Sequence, residues 1–130
     1  MMIKVTLDVI INSQGPLQTL MAAQLPIAIS YRLSRAMRQI NEELKEFYAT
    51  HKVLVEKYGE HDDEGKLIID KENSSIPIQS EYQQLFQEEM SRLLAVEIHI
   101  DIEPINILEL TNVNISAQEL YWLEKFLIVG

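Results

Sequence analysis

A chain of 130 residues has room for one domain with its own core, and 47% hydrophobic against 24% charged residues is a folded rather than a disordered composition. Twenty acidic against eleven basic side chains give a formal net charge of -9, which sets the chain's own field against phosphate backbones and anionic lipid. Direct nucleic-acid or membrane binding is therefore not expected, although an acidic surface that mimics a phosphate backbone stays open, and the lack of cysteine excludes disulfides, thiolate metal sites and cysteine nucleophiles.

The N-terminal stretch MMIKVTLDVII alternates loosely and is rich in β-branched residues, which predicts a strand over 2–11. Lys4 and Asp8 interrupt it, no small-residue cleavage site follows, and no segment reaches 18 apolar residues, so a soluble chain without a cleaved signal or membrane span is expected. NSQGP then stops the strand. Asn12 or Ser13 ahead of Pro16 predicts a capped short helix to about Gln24, which the Leu25-Pro26 step breaks before Pro26 opens the next helix.

Leu33, Met37, Ile40, Leu44, Phe47, His51, Leu54 and Tyr58 follow one another in alternating steps of 4 and 3, the heptad seam of a long helix that stops at Gly59. Ala36, Tyr48 and Val55 widen that stripe, which favours packing on a sheet or several helices; a homo-oligomer or partner along 33–58 is the alternative. EHDDEGK predicts a charged turn, KLIID a short strand and KENSSIPIQ a loop. Ser80 and Gln83 have capping-box spacing and predict a helix through about Leu94, with Tyr82, Phe86, Met90 and Leu93 or Leu94 inward.

VEIHIDIEPI, from Val96 to Ile105, alternates apolar with polar and predicts a strand. After Pro104, INILEL reads as a second strand or extended edge. Ser116 and Glu119 form a second capping box, with Ile115 and Leu120 as a hydrophobic staple, so the chain closes in a helix carrying Leu120, Leu123, Phe126 and Leu127. The expected fold is a single α+β domain over 1–130, in which a small, mostly antiparallel sheet packs against one long helix and two or three shorter ones.

The predicted strand puts Glu97, His99, Asp101 and Glu103 on one face and Ile98, Ile100 and Ile102 on the other. Alternate positions lie about 6–7 Å apart, so one divalent ion could take two of these groups and would need further ligands from elsewhere. A solvated face accounts for every residue without that addition and is the preferred reading. GEHDDEGKL fits neither motif it approaches: Gly59 and Gly65-Lys66 are separated by five residues where a phosphate loop needs four between them, and Leu67 replaces the magnesium-binding Ser or Thr. In calcium-loop register Glu60, Asp62 and Glu64 fall at positions one, three and five, but Lys71 stands at the twelfth in place of a bidentate Glu. A solvated tip carrying Glu60, Asp62 and Asp63 is expected, and no cofactor or metal.

His51 on the seam predicts a packed histidine, and neither His61 nor His99 has a spacing that joins it to a ligand set. No serine stands in GxSxG. Arg32, Arg35 and Arg38 form the one basic stripe of an acidic chain, able to grip a carboxylate or phosphate unless the chain's own acids neutralise it. Tyr121 and Trp122 are adjacent on the last helix, so one of them must be exposed or half exposed, and Trp122 is taken as a contact residue.

The segment FQEEMSRLLAVEIHIDIEPINILELTNVNISAQELYWLEKFLIVG resembles the C-terminal half of a family of small, uncharacterised bacteriophage and prophage proteins of Gram-positive bacteria. Carrying the resemblance are Glu88, Glu89, Leu93, Leu94, Glu97, Ile98, Pro104, Ile105, Leu110, Val113, Ile115, Ser116, Leu120, Leu123 and Phe126, and KYGEHDDEGK is similar to that family's middle region. The resemblance implies a phage origin and brings no catalytic residues; its setting is that of virion components, assembly adaptors or factors that block a host machine. The resulting expectation is a non-enzymatic protein-binding module in the host cytoplasm or incorporated in the virion. Its expected contacts are Arg32, Arg35, Arg38, the exposed part of the seam and Trp122. The alternatives are a host-directed inhibitor using the acids at Glu60–Glu64 and Glu97–Glu103 as a phosphate mimic, and a metal-dependent enzyme built on His99, Asp101 and Glu103.

Overall fold

Thr6 decides where the first strand ends. In the computed structural model, which describes residues 2–70, 72, 75–110 and 113–128, β1 covers Met2–Thr6 and helix α1 covers Leu7–Ala22. Thr6 is extended and its hydroxyl accepts from the Val9 N–H at 3.3 Å, an N-cap bond reinforced by Asp8 in the positive first turn. The strand expected over 2–11 is therefore halved, because an apolar β-branched run suits either element and the cap selects the helix. Asn12 and Ser13 do not cap; they lie inside α1, donating to the carbonyls of Asp8 at 2.8 Å and Ile10 at 2.9 Å. Pro16 also lies within α1, where it has no N–H for the Asn12 carbonyl but is buried beside Leu17 and Leu20, so packing outweighs the missing rung.

The Leu25-Pro26 break is present. Helix α2 spans Ile27–Tyr58, and its first N–H groups, those of Ile29 and Ser30, donate to the Pro26 carbonyl at 3.0 and 3.1 Å. Of the heptad seam, Leu33, Ile40, Leu44, Phe47 and Tyr58 are buried and Met37, His51 and Leu54 half buried. The chain buries most of the seam itself, and Met37, His51 and Leu54 are its partly accessible members; Tyr48, placed on the widened stripe, is exposed.

Backbone proximity gathers the chain into two units, Met1–Leu44 with Ala95–Gly130, and Lys45–Leu94. In the first, β2 (Glu97–Asp101) pairs antiparallel with β1, Met2 opposite Asp101 and Thr6 opposite Glu97. Ile3, Val5 and Ile100 face a buried cluster completed by Ile10, Leu17 and Leu20 of α1, Leu33, Ala36 and Ile40 of α2, and Leu123 and Phe126. INILEL supplies only a two-residue strand, β3 (Ile105–Asn106), before a 3-10 turn over Ile107–Leu110. Helix α4 (Ala117–Leu123) has its capping box: Glu119 N–H donates to the Ser116 hydroxyl at 3.1 Å and Ser116 N–H to the Glu119 carboxylate at 3.2 Å. The closing helix is shorter than expected, since Glu124–Phe126 forms a 3-10 turn and Leu127–Ile128 becomes β4, parallel to β3.

The second unit contains the end of α2, a hairpin-like excursion and α3 (Gln83–Leu94). Gly59 closes α2 because of crowding: it has no left-handed φ, but a Cβ there would meet the Val55 carbonyl oxygen at 2.5 Å. Gly65, with φ of 81°, does supply the left-handed turn of the charged tip. Leu67 pairs with His61, and Asp70 with Ser75, as isolated bridges rather than a strand over KLIID. The Ser80 capping box is absent. Ser80 opens a 3-10 turn, Ser80–Tyr82, whose preceding residue Gln79 is held by the end of α2, its N–H on the Tyr58 carbonyl and its amide on the Gly59 carbonyl. Among the described residues no helix is long and apolar enough to cross a membrane. The α+β class and the one long helix are as expected; among the described residues the antiparallel strand pair is β1 with β2, and the other antiparallel pairings are isolated bridges.

Candidate functional site

Strand alternation carries through β2: Glu97, His99, Asp101 and, just beyond, Glu103 are exposed, while Ile100 and Ile102 are buried. Much of that acid is answered from within. The Lys4 ammonium on β1 pairs with Glu97 at 2.6 Å, and Arg32 Nε on α2 pairs with Glu103 at 3.2 Å. Such exposed pairs are worth about 0–1 kcal/mol each, but they lower the local negative field. The Asp101 main chain is held as well: its N–H donates to Gln39 Oε1 at 2.8 Å, and Gln39 Nε2 donates to its carbonyl at 2.7 Å. The Gln39 amide thus stands in for the peptide of a neighbouring strand and blocks that point of the β2 edge. No group of three His, Asp or Glu among the described residues is arranged to hold a metal ion.

The same contacts bring the arginine stripe to β2. A cleft of about 440 Å³ is lined by Tyr31, Arg32 and Arg35 on one side and Asp101, Ile102 and Glu103 on the other. A second, of about 410 Å³, is lined by Arg35, Arg38, Gln39, Glu42 and Asp101. Arg35 and Asp101 therefore border both. Of the three arginines Arg32 is half buried and paired, whereas Arg35 and Arg38 are exposed and make no ion pair or hydrogen bond among the described residues. Arg38 and Glu42 stand four apart in the weaker helical order, base before acid, and do not close.

The stripe also continues towards the N-terminus of α2, where Tyr31 is 64% and Ile27 86% exposed. Ile27, Tyr31, Arg35, Arg38 and Glu42 recur at steps of 4, 4, 3 and 4, one face of the helix. Sequence reasoning passed over Ile27, Tyr31 and Gln39. The signal for the first two was present, since both lie off the heptad seam at i−8 and i−4 from Arg35. Gln39 carried none, its partner being 62 residues away.

The remaining predicted positions lie elsewhere. In the charged tip, Asp62 Oδ1 accepts from the N–H groups of Glu64 at 2.9 Å and Lys66 at 3.0 Å, so this carboxylate builds the turn. Asp63 is exposed and Glu60 half buried; Lys71 lies outside the described residues. The tip belongs to the second unit and the β2 acids to the first. His51 is packed between the rings of Phe47, at 6.1 Å, and Phe86, at 6.5 Å, the histidine environment expected of the seam. Val55, Leu67, Ile76, Ile78 and Phe86 border a largely apolar cleft of about 510 Å³ in the same unit. At the C-terminus the exposed aromatic is Tyr121, 67% exposed, while Trp122 is half buried edge-on to it at 5.0 Å. Of the adjacent pair, Trp122, the expected contact residue, is thus the less exposed.

The Glu119 carboxyl is held below its ordinary value, first by the Ser116 N–H and then by the Thr19 hydroxyl of α1. Lys57 is raised, chiefly by its contact with Tyr58, whose hydroxyl donates to Glu89 at 2.8 Å. Both shifts belong to structural contacts away from the clefts. No protein-family model matches this chain, and no curated protein or solved structure matches it.

Proposed function

We propose that the chain is a non-enzymatic protein-binding module of a bacteriophage or prophage, acting in the virion or in particle assembly, and that it meets its partner through the outer face of α2. One observation carries the docking face: exposed Ile27 and Tyr31 continue directly into Arg35 and Arg38, two arginines without an ion pair among the described residues in a chain holding twenty acids. Tyrosine and arginine are, with tryptophan, the residues enriched where interface energy concentrates, and both are exposed on this face. The phage setting rests on the resemblance of the segment from Phe86 onward and of the KYGEHDDEGK turn. The test is quantitative mass spectrometry of purified particles of the encoding phage against infected-cell lysate. A fixed copy number per particle supports a virion component, and abundance in lysate together with co-purification on immature particles supports an assembly factor. Abundance in lysate with association to neither overturns the reading.

A further inference from the structure

We infer that the partner presents acidic side chains flanking an apolar one, and that Arg35 and Arg38 receive the carboxylates while Tyr31 and Ile27 receive the apolar group. The inference rests on the protein-binding reading above and adds the chemistry of the partner. Arg35 and Arg38 are one helical turn apart, exposed, and free of ion pairs among the described residues. Arg35 lies between two adjoining clefts, so a chain laid along α2 meets the aromatic end, then Arg35, then Arg38. A guanidinium presents a fork that matches a carboxylate through two parallel hydrogen bonds, and it is more weakly hydrated than an ammonium.

Charge decides between a carboxylate-bearing peptide and a polyphosphate. Asp101 borders both clefts, Glu42 the second, and the whole chain carries -9, so closely spaced phosphates would gather repulsion as fast as attraction. Carboxylates on a peptide can be spaced to meet the two arginines and miss the acids. The exposed Tyr31 and Ile27 ask for an apolar side chain, which a nucleic-acid backbone does not offer. A second copy of this chain is a poorer occupant along its one acid-alternating strand, where β2 against β2 would set Glu97 opposite Asp101.

The test is to pan a library of random twelve-residue peptides on the full chain, then measure the enriched peptides by fluorescence anisotropy. Expected are sequences with two or more Asp or Glu around a Leu, Ile or aromatic residue, weakened at least about tenfold by Arg35→Ala with Arg38→Ala and by amide replacement of their acids. Both arginines are exposed, so an unchanged circular dichroism melt should accompany the loss. Three outcomes overturn the inference: enrichment without acids, binding that ignores the double variant, or no enrichment. A fluorescent single-stranded oligonucleotide that saturates the chain at physiological salt overturns it as well. Particle mass spectrometry is read separately, so the partner chemistry can fail while the module reading stands.

Discussion

Replacing Gly59 with alanine should destabilise the protein by crowding alone. An added Cβ would lie 2.5 Å from the Val55 carbonyl oxygen and 3.0 Å from both Ile76 Cγ2 and Leu67 Cδ2. The two methyl groups can turn away, but the carbonyl cannot move freely, because the Gly59 N–H donates to it at 2.7 Å. Relief requires about half an ångström of backbone movement where α2 ends, and overpacking of this kind costs about 1–3 kcal/mol. The alanine recovers about 0.4–1 kcal/mol by restricting the unfolded chain, since no positive φ is needed at this position. A net loss of about 1–2 kcal/mol follows, read as a lower urea midpoint at unchanged slope and a melting temperature several degrees down. Leu67→Ala in the Gly59→Ala background separates the causes: if the carbonyl dominates, the second change restores nothing. An unchanged or raised midpoint for Gly59→Ala would refute the reasoning.

Gln39→Ala should cost about 1 kcal/mol, because two hydrogen bonds to Asp101 are exchanged for bonds to water. Amide exchange at Asp101 is the specific readout, and protection there equal to that of the unaltered protein would show that Gln39 does not hold the strand edge. Glu119 gives a pH signature. Its folded carboxyl is lowered, so it contributes stability above the unfolded carboxyl value of about 4.3, and that contribution is lost as pH falls through the lowered folded value. Glu119→Gln keeps a capping-box side chain without the titration, so its urea midpoint should fall less steeply below pH 4.5 than that of the unaltered chain. Parallel acid limbs for the two proteins would count against this assignment.

The parts of the fold legible in advance were those with long or strict periodicity. The alternation in VEIHIDIE placed Ile100 and Ile102 inside and Glu97, His99 and Asp101 outside, and the seam from Leu33 to Tyr58 gave the long helix and its stop. Ser116 and Glu119 were readable because a capping box is local. Leu7–Ile11 was misread because a run of four apolar residues around Asp8 fits two periods, and one hydroxyl, that of Thr6, chooses between them. The failed cap at Ser80 has a different origin: Tyr58 and Gly59, some 20 residues earlier, hold Gln79, which no local pattern reveals. The candidate site was half legible for the same reason. The arginine spacing was visible, but which arginine is neutralised depends on Glu103, far along the chain, and which face stays bare depends on how α2 is buried.

The most direct test of the proposed docking face on α2, in the phage setting proposed above, is complementation of an encoding phage deleted for this gene, by the unaltered chain or by Arg35→Glu with Arg38→Glu, scoring plaque titre. Both positions are exposed, so the charge-reversed protein should fold, accumulate in the lysate and melt where the unaltered one does. Expected is a titre no higher than that of the uncomplemented deletion, with Lys125→Glu, at an exposed position outside α2, restoring full titre. Full titre from the Arg35→Glu, Arg38→Glu chain would contradict it.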